Sequence, residues 1–222
     1  MKMKFEAAKE ILTIEKENEW CERAKEIDTN TENKLVREIV NSLKATITKN
    51  NLTALSAPAI GYPRRIFCIK FKEEIKTFIN PVIAAAKGLQ LSREKCTSIP
   101  GVEYLIPRNN DITIVYQRPL GQPETRRIVG LAAFIVQHEL QHLDGILLSD
   151  IGLELDENWD TFSENEKQEI ITMYLDSIDL RQKELNKEIE KTEELKQISD
   201  AIDFMTSVYK GETELEKVEK LE

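Results

Sequence analysis

The placement of proline and glycine divides this chain into parts that must fold differently. All seven prolines lie between Pro58 and Pro123, and no glycine occurs between Gly152 and Gly211. Both residue types interrupt regular structure. We therefore predict strands and turns in the middle of the chain and helix toward its end.

Local patterns predict the first elements. Residues 33–49 carry leucine or isoleucine at every fourth position, which indicates an amphipathic helix. Residues 64–71 and 111–116 are rich in β-forming side chains and are predicted to be strands. We expect the region around and between these strands to be broken by four prolines: Pro81, Pro100, Pro107 and Pro119.

Two further helices are predicted. Residues 130–143, GLAAFIVQHELQHL, form a strongly apolar segment that ends before Gly145, so this helix is expected to be buried. From Ser163 to Tyr209 the pattern is helical and polar, with one long helix and a helical hairpin as the two possibilities. We expect two domains, residues 1–152 and an acidic helical extension at 153–222.

Composition limits the functional class. Three widely spaced cysteines argue against a disulfide framework and for a reducing compartment, and no secretory or membrane-spanning segment is recognisable. We therefore expect a cytoplasmic protein. Residues 153–222 hold 21 acidic and 9 basic side chains, a net charge of −12, whereas residues 1–152 carry a net +3. An acidic extension does not favour direct binding to nucleic acid.

The only two histidines of the chain lie four residues apart in QHELQHLDG, residues 137–145. On a helix, His138 and His142 share one face and can bind a single cation. Glu139 lies roughly 100° around the axis from His138, where it can reach water beside the metal without being a ligand. This HExxH spacing is typical of metal-dependent hydrolases, in which two histidines bind the metal and the glutamate is the general base.

A catalytic site of this kind usually has three protein ligands. The chain has no third histidine, so the remaining candidates are a carboxylate or a cysteine. Glu154 and Glu157 lie downstream of the motif, and Cys96 lies upstream within EKCTSIPG, residues 94–101. The spacing alone does not choose between them.

Three segments together resemble the peptide deformylase family. EKCTSIPG is similar to its E-G-C-L-S segment, QHELQHLDG to its H-E-x-D-H segment, and LTALSAPAIG at residues 52–61 to its G-x-G-L-A-A-x-Q segment. The resemblance covers roughly residues 10–152. It implies an α+β fold with antiparallel β-sheets around a central HExxH helix, followed here by a long helical C-terminal extension.

The resemblance also implies a role for each matching residue. Cys96, His138 and His142 match the metal ligands, and Glu139 matches the general base. Glu94 and Arg108 match a carboxylate and an arginine that pair behind the cysteine segment. Seven residues match substrate-binding positions: Ala54, Leu55, Ala59, Lys95, Leu131, Phe134 and Ile135.

In that family, one divalent metal ion activates water, and formate is released from N-formylmethionyl peptides and nascent chains. Ferrous iron serves best, and zinc, nickel or cobalt is often accepted. The oxyanion is stabilised by the glutamine of the first segment and by the backbone N–H after the cysteine, which belongs here to Thr97. Some members work at the ribosome through a basic C-terminal helix. This extension is acidic, so that role is not expected for it. It is expected either to be a solvated helical extension or to contact a protein partner, the protein's own body or a second copy.

The sequence departs from the family at the substrate site. Ala59 replaces the glutamine and removes a side-chain donor, a loss that typically costs about 10²–10³ in rate. Ala54 and Lys95 replace glycines, Thr97 replaces a leucine, and Gln141 replaces the aspartate of the third segment.

Three interpretations follow from these observations. The first is an active deformylase, slower or with shifted substrate preference. The second is a deformylase-like metal-binding protein that serves as a binding or regulatory module. The third is an HExxH metallopeptidase with a downstream glutamate as third ligand. Glu139 favours the first over the second, and the third leaves Cys96 without a role.

Overall fold

The computed structural model describes residues 7–13, 22–72 and 74–209. The chain forms two compact units, Met1–Asp156 and Glu157–Glu222. The short strand Leu153–Glu154 pairs within the first unit. The predicted division into domains at residue 152 stays a prediction, since compactness does not demonstrate independent folding.

The first helix, α1, spans Asn33–Asn50 and confirms the amphipathic prediction. Its buried side includes Ile39, Leu43 and Ile47, which have no exposed surface. The helix ends because Asn51 adopts a left-handed conformation (φ 51°), and the next N–H, that of Leu52, bonds to the carbonyl of Ile47 at 3.0 Å. A left-handed residue is a common way to terminate a helix and satisfy its last carbonyls.

Six strands form one connected antiparallel sheet in the order β1-β2-β3-β4-β5, with β6 paired to β4. The strands are β1 Ala54–Ser56, β2 Ile66–Phe71, β3 Glu74–Cys96, β4 Ile99–Gln117, β5 Pro123–Val129 and β6 Leu153–Glu154. The predicted strands at 64–71 and 111–116 correspond to β2 and to part of β4. The α+β class with antiparallel strands is confirmed.

The predicted breaks at three of the four prolines were wrong. β3 continues through Pro81, and β4 continues through Pro100 and Pro107. Pro81 lies at a register shift between Ile79 and Val82. Pro107 pairs with Leu91 of β3, and no described strand pairs with it on the other side of β4, between the pairings with β6 and β5. At such positions a missing N–H costs no ladder hydrogen bond.

Two further helices of the first unit are α2 Leu131–Leu143 and α3 Leu148–Ile151. Strand β2 is buried on both faces: Ile66 packs in a cluster with the apolar side chains of α1, and Phe67 packs in a second cluster with Val136 and Leu140 of α2. This explains the continuous apolar run of β2, since successive strand side chains point to opposite faces. The central position of α2 confirms the prediction of a buried helix.

The second unit contains a 3₁₀ turn at Trp159–Thr161 and a single helix, α4, at Glu164–Tyr209. The long-helix possibility is thus confirmed over the hairpin, although residues 210–222 of the predicted extension lie outside the described part. The Ser163 N–H donates to Glu166 at 2.8 Å, and the Glu166 N–H donates to the Ser163 hydroxyl at 3.3 Å. Together these form a capping box. Over the described residues, each helix is too short or too polar to cross a membrane.

Candidate metal centre and substrate cleft

Three potential metal ligands converge in the first unit. Sγ of Cys96 lies 3.4 Å from Nε2 of His142, and Nε2 of His142 lies 3.1 Å from Nε2 of His138. The three ligand atoms all lie within 4.8 Å of one another. The structure therefore brings together the cysteine and the two histidines that the sequence suggested.

Local structure explains how these side chains meet. His138 and His142 are one helical turn apart on α2, so their rings share a face. Cys96 is the last residue of β3 and pairs with Ile99 across a two-residue turn. The backbone N–H of Ser98 in that turn contacts Sγ at 3.4 Å. The turn thus holds the thiol beside the imidazole ring of His142.

The donor set suits a divalent metal ion. In a tetrahedral zinc site, bonds of about 2.1 Å to nitrogen and 2.3 Å to sulfur separate the ligand atoms by about 3.4–3.6 Å. The nitrogen and sulfur atoms here are 3.1 and 3.4 Å apart. One thiolate with two imidazoles is a combination that iron and zinc accept. The residues present therefore fit the metal that the sequence motif implies.

Glu94 and Arg108 orient the first histidine. Arg108 is 1% exposed and donates to both carboxylate oxygens of Glu94, at 2.8 and 2.9 Å. Nδ1 of His138 lies 2.9 Å from the same carboxylate. In the neutral ring this contact keeps the proton on Nδ1 and directs the Nε2 lone pair at the ligand cluster. Arg108 also donates to Gln141 at 2.8 Å, so a neutral amide occupies this contact.

The surroundings of Glu94 and His138 favour a negative charge on the carboxylate and a positive charge on the imidazole. Burial alone would raise the pKa of Glu94, but hydrogen bonds from Arg108 and His138 lower it to about 2. Burial opposes a charge on His138, yet hydrogen bonds to Cys96 and Glu94 and the charge of Glu139 raise its pKa to about 10. A positive charge, whether a proton or a metal ion, is therefore favoured at Nε2 of His138.

Replacing Arg108 by leucine should be strongly destabilising. The change leaves the Glu94 carboxylate buried without its cation, which typically costs about 3–5 kcal/mol. Metal affinity should also fall by about 10–100-fold, because the support of a ligating histidine is lost. Urea denaturation and metal titration measure the two effects.

Arg127→Leu is the matched control for this change. Arg127 also makes a two-bonded contact, with Asp111 at 2.8 and 2.7 Å, but its side chain is 66% exposed. An exposed pair contributes at most about 1 kcal/mol. Similar losses for both variants would contradict the role assigned to burial of the Glu94–Arg108 pair.

Glu139, on α2 next to His138, is buried at 6% exposure. Burial raises the pKa of its carboxyl to about 7, although the His138 charge and the Ser56 hydroxyl act in the opposite direction. A carboxylate with a pKa near neutrality is well suited to accept and return a proton. The predicted general base therefore lies beside the ligand cluster with a pKa close to neutral pH.

The raised pKa of Glu139 predicts a pH-dependent stability difference in the metal-free protein. Its folded-state pKa of about 7 exceeds the usual value of 4.5. The stabilising contribution is thus full below about pH 4.5 and is lost as the pH rises through 7. Glutamine does not titrate, so Glu139→Gln does not lose this stability as the pH rises. The difference in free energy of unfolding between the variant and wild type should therefore shift in favour of the variant by about 2–3 kcal/mol between pH 5 and pH 8. Urea denaturation at both pH values measures the gain.

Glu103→Gln provides a control at a carboxylate whose pKa shifts in the opposite direction. Hydrogen bonds from Lys95 and Arg93 lower the pKa of the partly exposed Glu103 below 4.5. Its stabilising contribution is therefore already full above about pH 4.5, and the stability difference between Glu103→Gln and wild type should stay constant between pH 5 and pH 8. A gain in both variants would mean that burial of Glu139 is not the cause.

A cleft of about 450 Å³ opens beside the ligand cluster. Leu131, Phe134 and Ile135 of α2 supply apolar side chains to it. It also includes further predicted residues: Ala54, Glu94, Lys95, Thr97, His138 and Glu139. Most of the residues proposed from the sequence therefore lie around one cavity, and His138 of the ligand cluster borders it.

Two predicted substrate-binding residues are placed elsewhere. Leu55 and Ala59 are each 2% exposed and pack in the core cluster that contains the apolar side of α1. Leu55 pairs with Cys68 of β2, so its side chain points to the face opposite that of Ala54. Ala59 lies in a buried 3₁₀ turn, Pro58–Ile60. Neither side chain lines the cleft.

Several cleft residues were missed from the sequence. They are Asn51, Leu52, Thr53, Ser92 and Arg93. The first three follow the end of α1. The sequence predicted where this helix ends, but it did not predict that the residues after it lie beside the cleft. Ser92 shares a strand face with Glu94, so strand alternation was the signal that could have found it.

Comparisons with known proteins agree with this geometry. The family model for polypeptide deformylase matches residues 8–156. A peptide deformylase of Dictyoglomus turgidum is 35% identical over 134 residues, covering 60% of this chain and 84% of that protein. One of Syntrophomonas wolfei is 31% identical over 132 residues, covering 60% and 87%.

Solved structures show the same fold. The crystal structure of a peptide deformylase from Thermotoga maritima superposes with a TM-score of 0.59 at 28% identity, covering 64% of this chain and 96% of that one. A peptide deformylase from Legionella pneumophila gives 0.61 at 24% identity, covering 78% and 97%. On the family match and the identity to its relatives, the chain belongs to the polypeptide deformylase family.

Proposed function

We propose that this protein is a metal-dependent peptide deformylase that removes the formyl group from N-formylmethionyl peptides and nascent proteins. The observation that carries the proposal is the cluster of Cys96, His138 and His142, in which His138 borders the same cleft as Glu139. The products are formate and a peptide with a free N-terminal amine.

Cys96, His138 and His142 would hold one divalent metal ion, with ferrous iron as the proposed native metal and zinc, nickel or cobalt as replacements. Such an ion lowers the pKa of water and polarises a carbonyl group. A thiolate ligand and ferrous iron both suit a reducing cytoplasm, which is the proposed location. The Glu94–Arg108 pair holds His138 in the orientation that the site needs.

Glu139 accepts the proton of the attacking water and later delivers it to the leaving amine. Its buried carboxyl has a pKa raised to about 7 by burial, so it can serve as both base and acid near neutral pH. Leu131, Phe134 and Ile135 offer an apolar wall suited to the methionine side chain.

Addition of water to the formyl carbon places a negative charge on the formyl oxygen, and this oxyanion needs hydrogen-bond donors. Thr97 borders the cleft immediately after Cys96, and its backbone N–H is the proposed donor. Ala59 has no polar side chain, so the family's second donor is missing at that position. A family member with fewer oxyanion donors should hydrolyse its substrate more slowly. The second candidate function is therefore a deformylase-like metal-binding protein with lost or altered activity.

Formate release from a short formyl-Met peptide tests the proposal. The protein is prepared without oxygen, loaded with ferrous iron, and compared with Glu139→Gln. Turnover in wild type that disappears in the variant supports the proposal. One bound metal per chain without turnover would instead favour the binding protein, and absence of both metal and turnover would contradict the metal site itself.

The proposed partners are nascent chains, met at the ribosome as they emerge. The extension at 153–222 is proposed to bind protein, its own body or a second copy rather than nucleic acid. Its net charge of −12 supports this, because phosphate contacts require basic side chains.

A further inference from the structure

Ser56 is a buried hydroxyl that the proposed reaction does not yet use. It is the last residue of β1, has no exposed surface, and pairs with Phe67 of β2. Phe67 packs in the cluster that includes α2, so the Ser56 side chain lies on the α2 face of the sheet. Ala54, two residues earlier on that same face, lines the cleft.

On this face the Ser56 hydroxyl is close enough to the Glu139 carboxylate to lower the pKa of that carboxyl against the effect of burial. Yet Ser56 Oγ and Glu139 Oε2 are both fully buried, and neither makes a hydrogen bond of ordinary geometry to any part of the chain that is described. Buried polar atoms are nearly always hydrogen-bonded. A hydroxyl can donate and a carboxylate only accepts, so a hydrogen bond between the two would satisfy both atoms.

We propose that the Ser56 hydroxyl donates a hydrogen bond to Oε2 of Glu139 and so acts as a positioning residue for the general base. Fixing Oε2 leaves Oε1 available to take the proton from the attacking water. The contact holds the carboxylate in one orientation, which a buried but otherwise unanchored side chain would lack. This inference rests on the proposed deformylase function for its kinetic consequence but not for the hydrogen bond itself.

The kinetic test compares Ser56→Ala and Ser56→Thr with wild type. Loss of a hydrogen bond to a charged group should lower kcat of Ser56→Ala by about 10–100-fold, with KM within about twofold and metal content unchanged. Ser56→Thr keeps the hydroxyl and should restore most of kcat. Ser42→Ala removes another buried hydroxyl, on α1, and should leave kcat unchanged.

Three kinetic results would overturn the proposal. They are an unchanged kcat in Ser56→Ala, a loss of kcat accompanied by loss of metal, and a Ser56→Thr variant that folds normally but is as slow as Ser56→Ala. Thermal unfolding of each variant identifies a folding defect.

Infrared spectroscopy of the metal-free protein at pH 5 tests the hydrogen bond without activity. The C=O stretch of the protonated Glu139 carboxyl is the band that is missing in Glu139→Gln. It should move to higher frequency in Ser56→Ala and return in Ser56→Thr. If wild type releases no formate, the proposed function fails while this band still decides the Ser56 contact. An unmoved band in Ser56→Ala would overturn the proposal.

Discussion

Glu139→Gln should lower the rate of formate release by about 10²–10⁴-fold while leaving one metal bound per chain. The amide has nearly the shape of the carboxyl, so the packing of this 6%-exposed side chain is preserved. It cannot accept the proton of water, however, and it cannot return one to the leaving amine. Steady-state kinetics with a formyl-Met peptide and metal analysis of the same sample measure both quantities.

The control is chosen on the same helix. Gln141→Asn changes another polar side chain of α2, one that contacts Arg108 rather than the cleft. It should lower activity far less than Glu139→Gln. Activity of Glu139→Gln within about tenfold of wild type would contradict the role of general base. Loss of its metal would show that the carboxylate supports the ion instead.

Cys96→Ala should abolish formate release by removing the metal. Loss of a side chain that merely supports a ligand already weakens metal binding by about 10–100-fold, so loss of a ligand should exceed this range. Two histidines one helical turn apart remain, and they alone do not form a site with three protein ligands. Metal titration monitored by calorimetry and formate release measure the outcome.

Cys68→Ala and Glu154→Gln are the matched controls for Cys96→Ala. Cys68 is a buried thiol on β2 beside Thr77, and burial raises its pKa to about 11, so it stays protonated and inert. Glu154, an alternative third ligand in a metallopeptidase, instead lies 3.5 Å from the Tyr104 hydroxyl. Both variants should keep their metal. Retention by Cys96→Ala and loss by Glu154→Gln would favour the metallopeptidase.

Patterns that repeat along a single element were predictable from the sequence. The four-residue spacing in α1, the apolar run of β2 and the HExxH spacing in α2 each depend on the geometry of one helix or strand. His138 and His142 share a face wherever that helix lies. The similarity of the three segments to one family then indicated Cys96 as the proposed third ligand, which spacing alone had left open.

Features that depend on neighbouring strands were not predictable. Pro81 and Pro107 read as breaks because proline lacks an N–H, but a register shift and a stretch of β4 with no described strand on one side accommodate them. The absence of a proline N–H weakens a sheet only if a neighbouring strand would accept a hydrogen bond there. The local sequence does not show which strand, if any, lies at that position.

The sequence by itself determined which residues are proposed as metal ligands and general base, since their spacing and their resemblance to one family lie in short contiguous segments. Tertiary structure alone decided which other side chains face them. The pairing of β1 with β2 directs Leu55 into the core and Ser56 toward Glu139, although the two residues are adjacent in the chain. A strand presents alternate side chains to opposite faces, and which face meets the helix is fixed only when the sheet and α2 pack together.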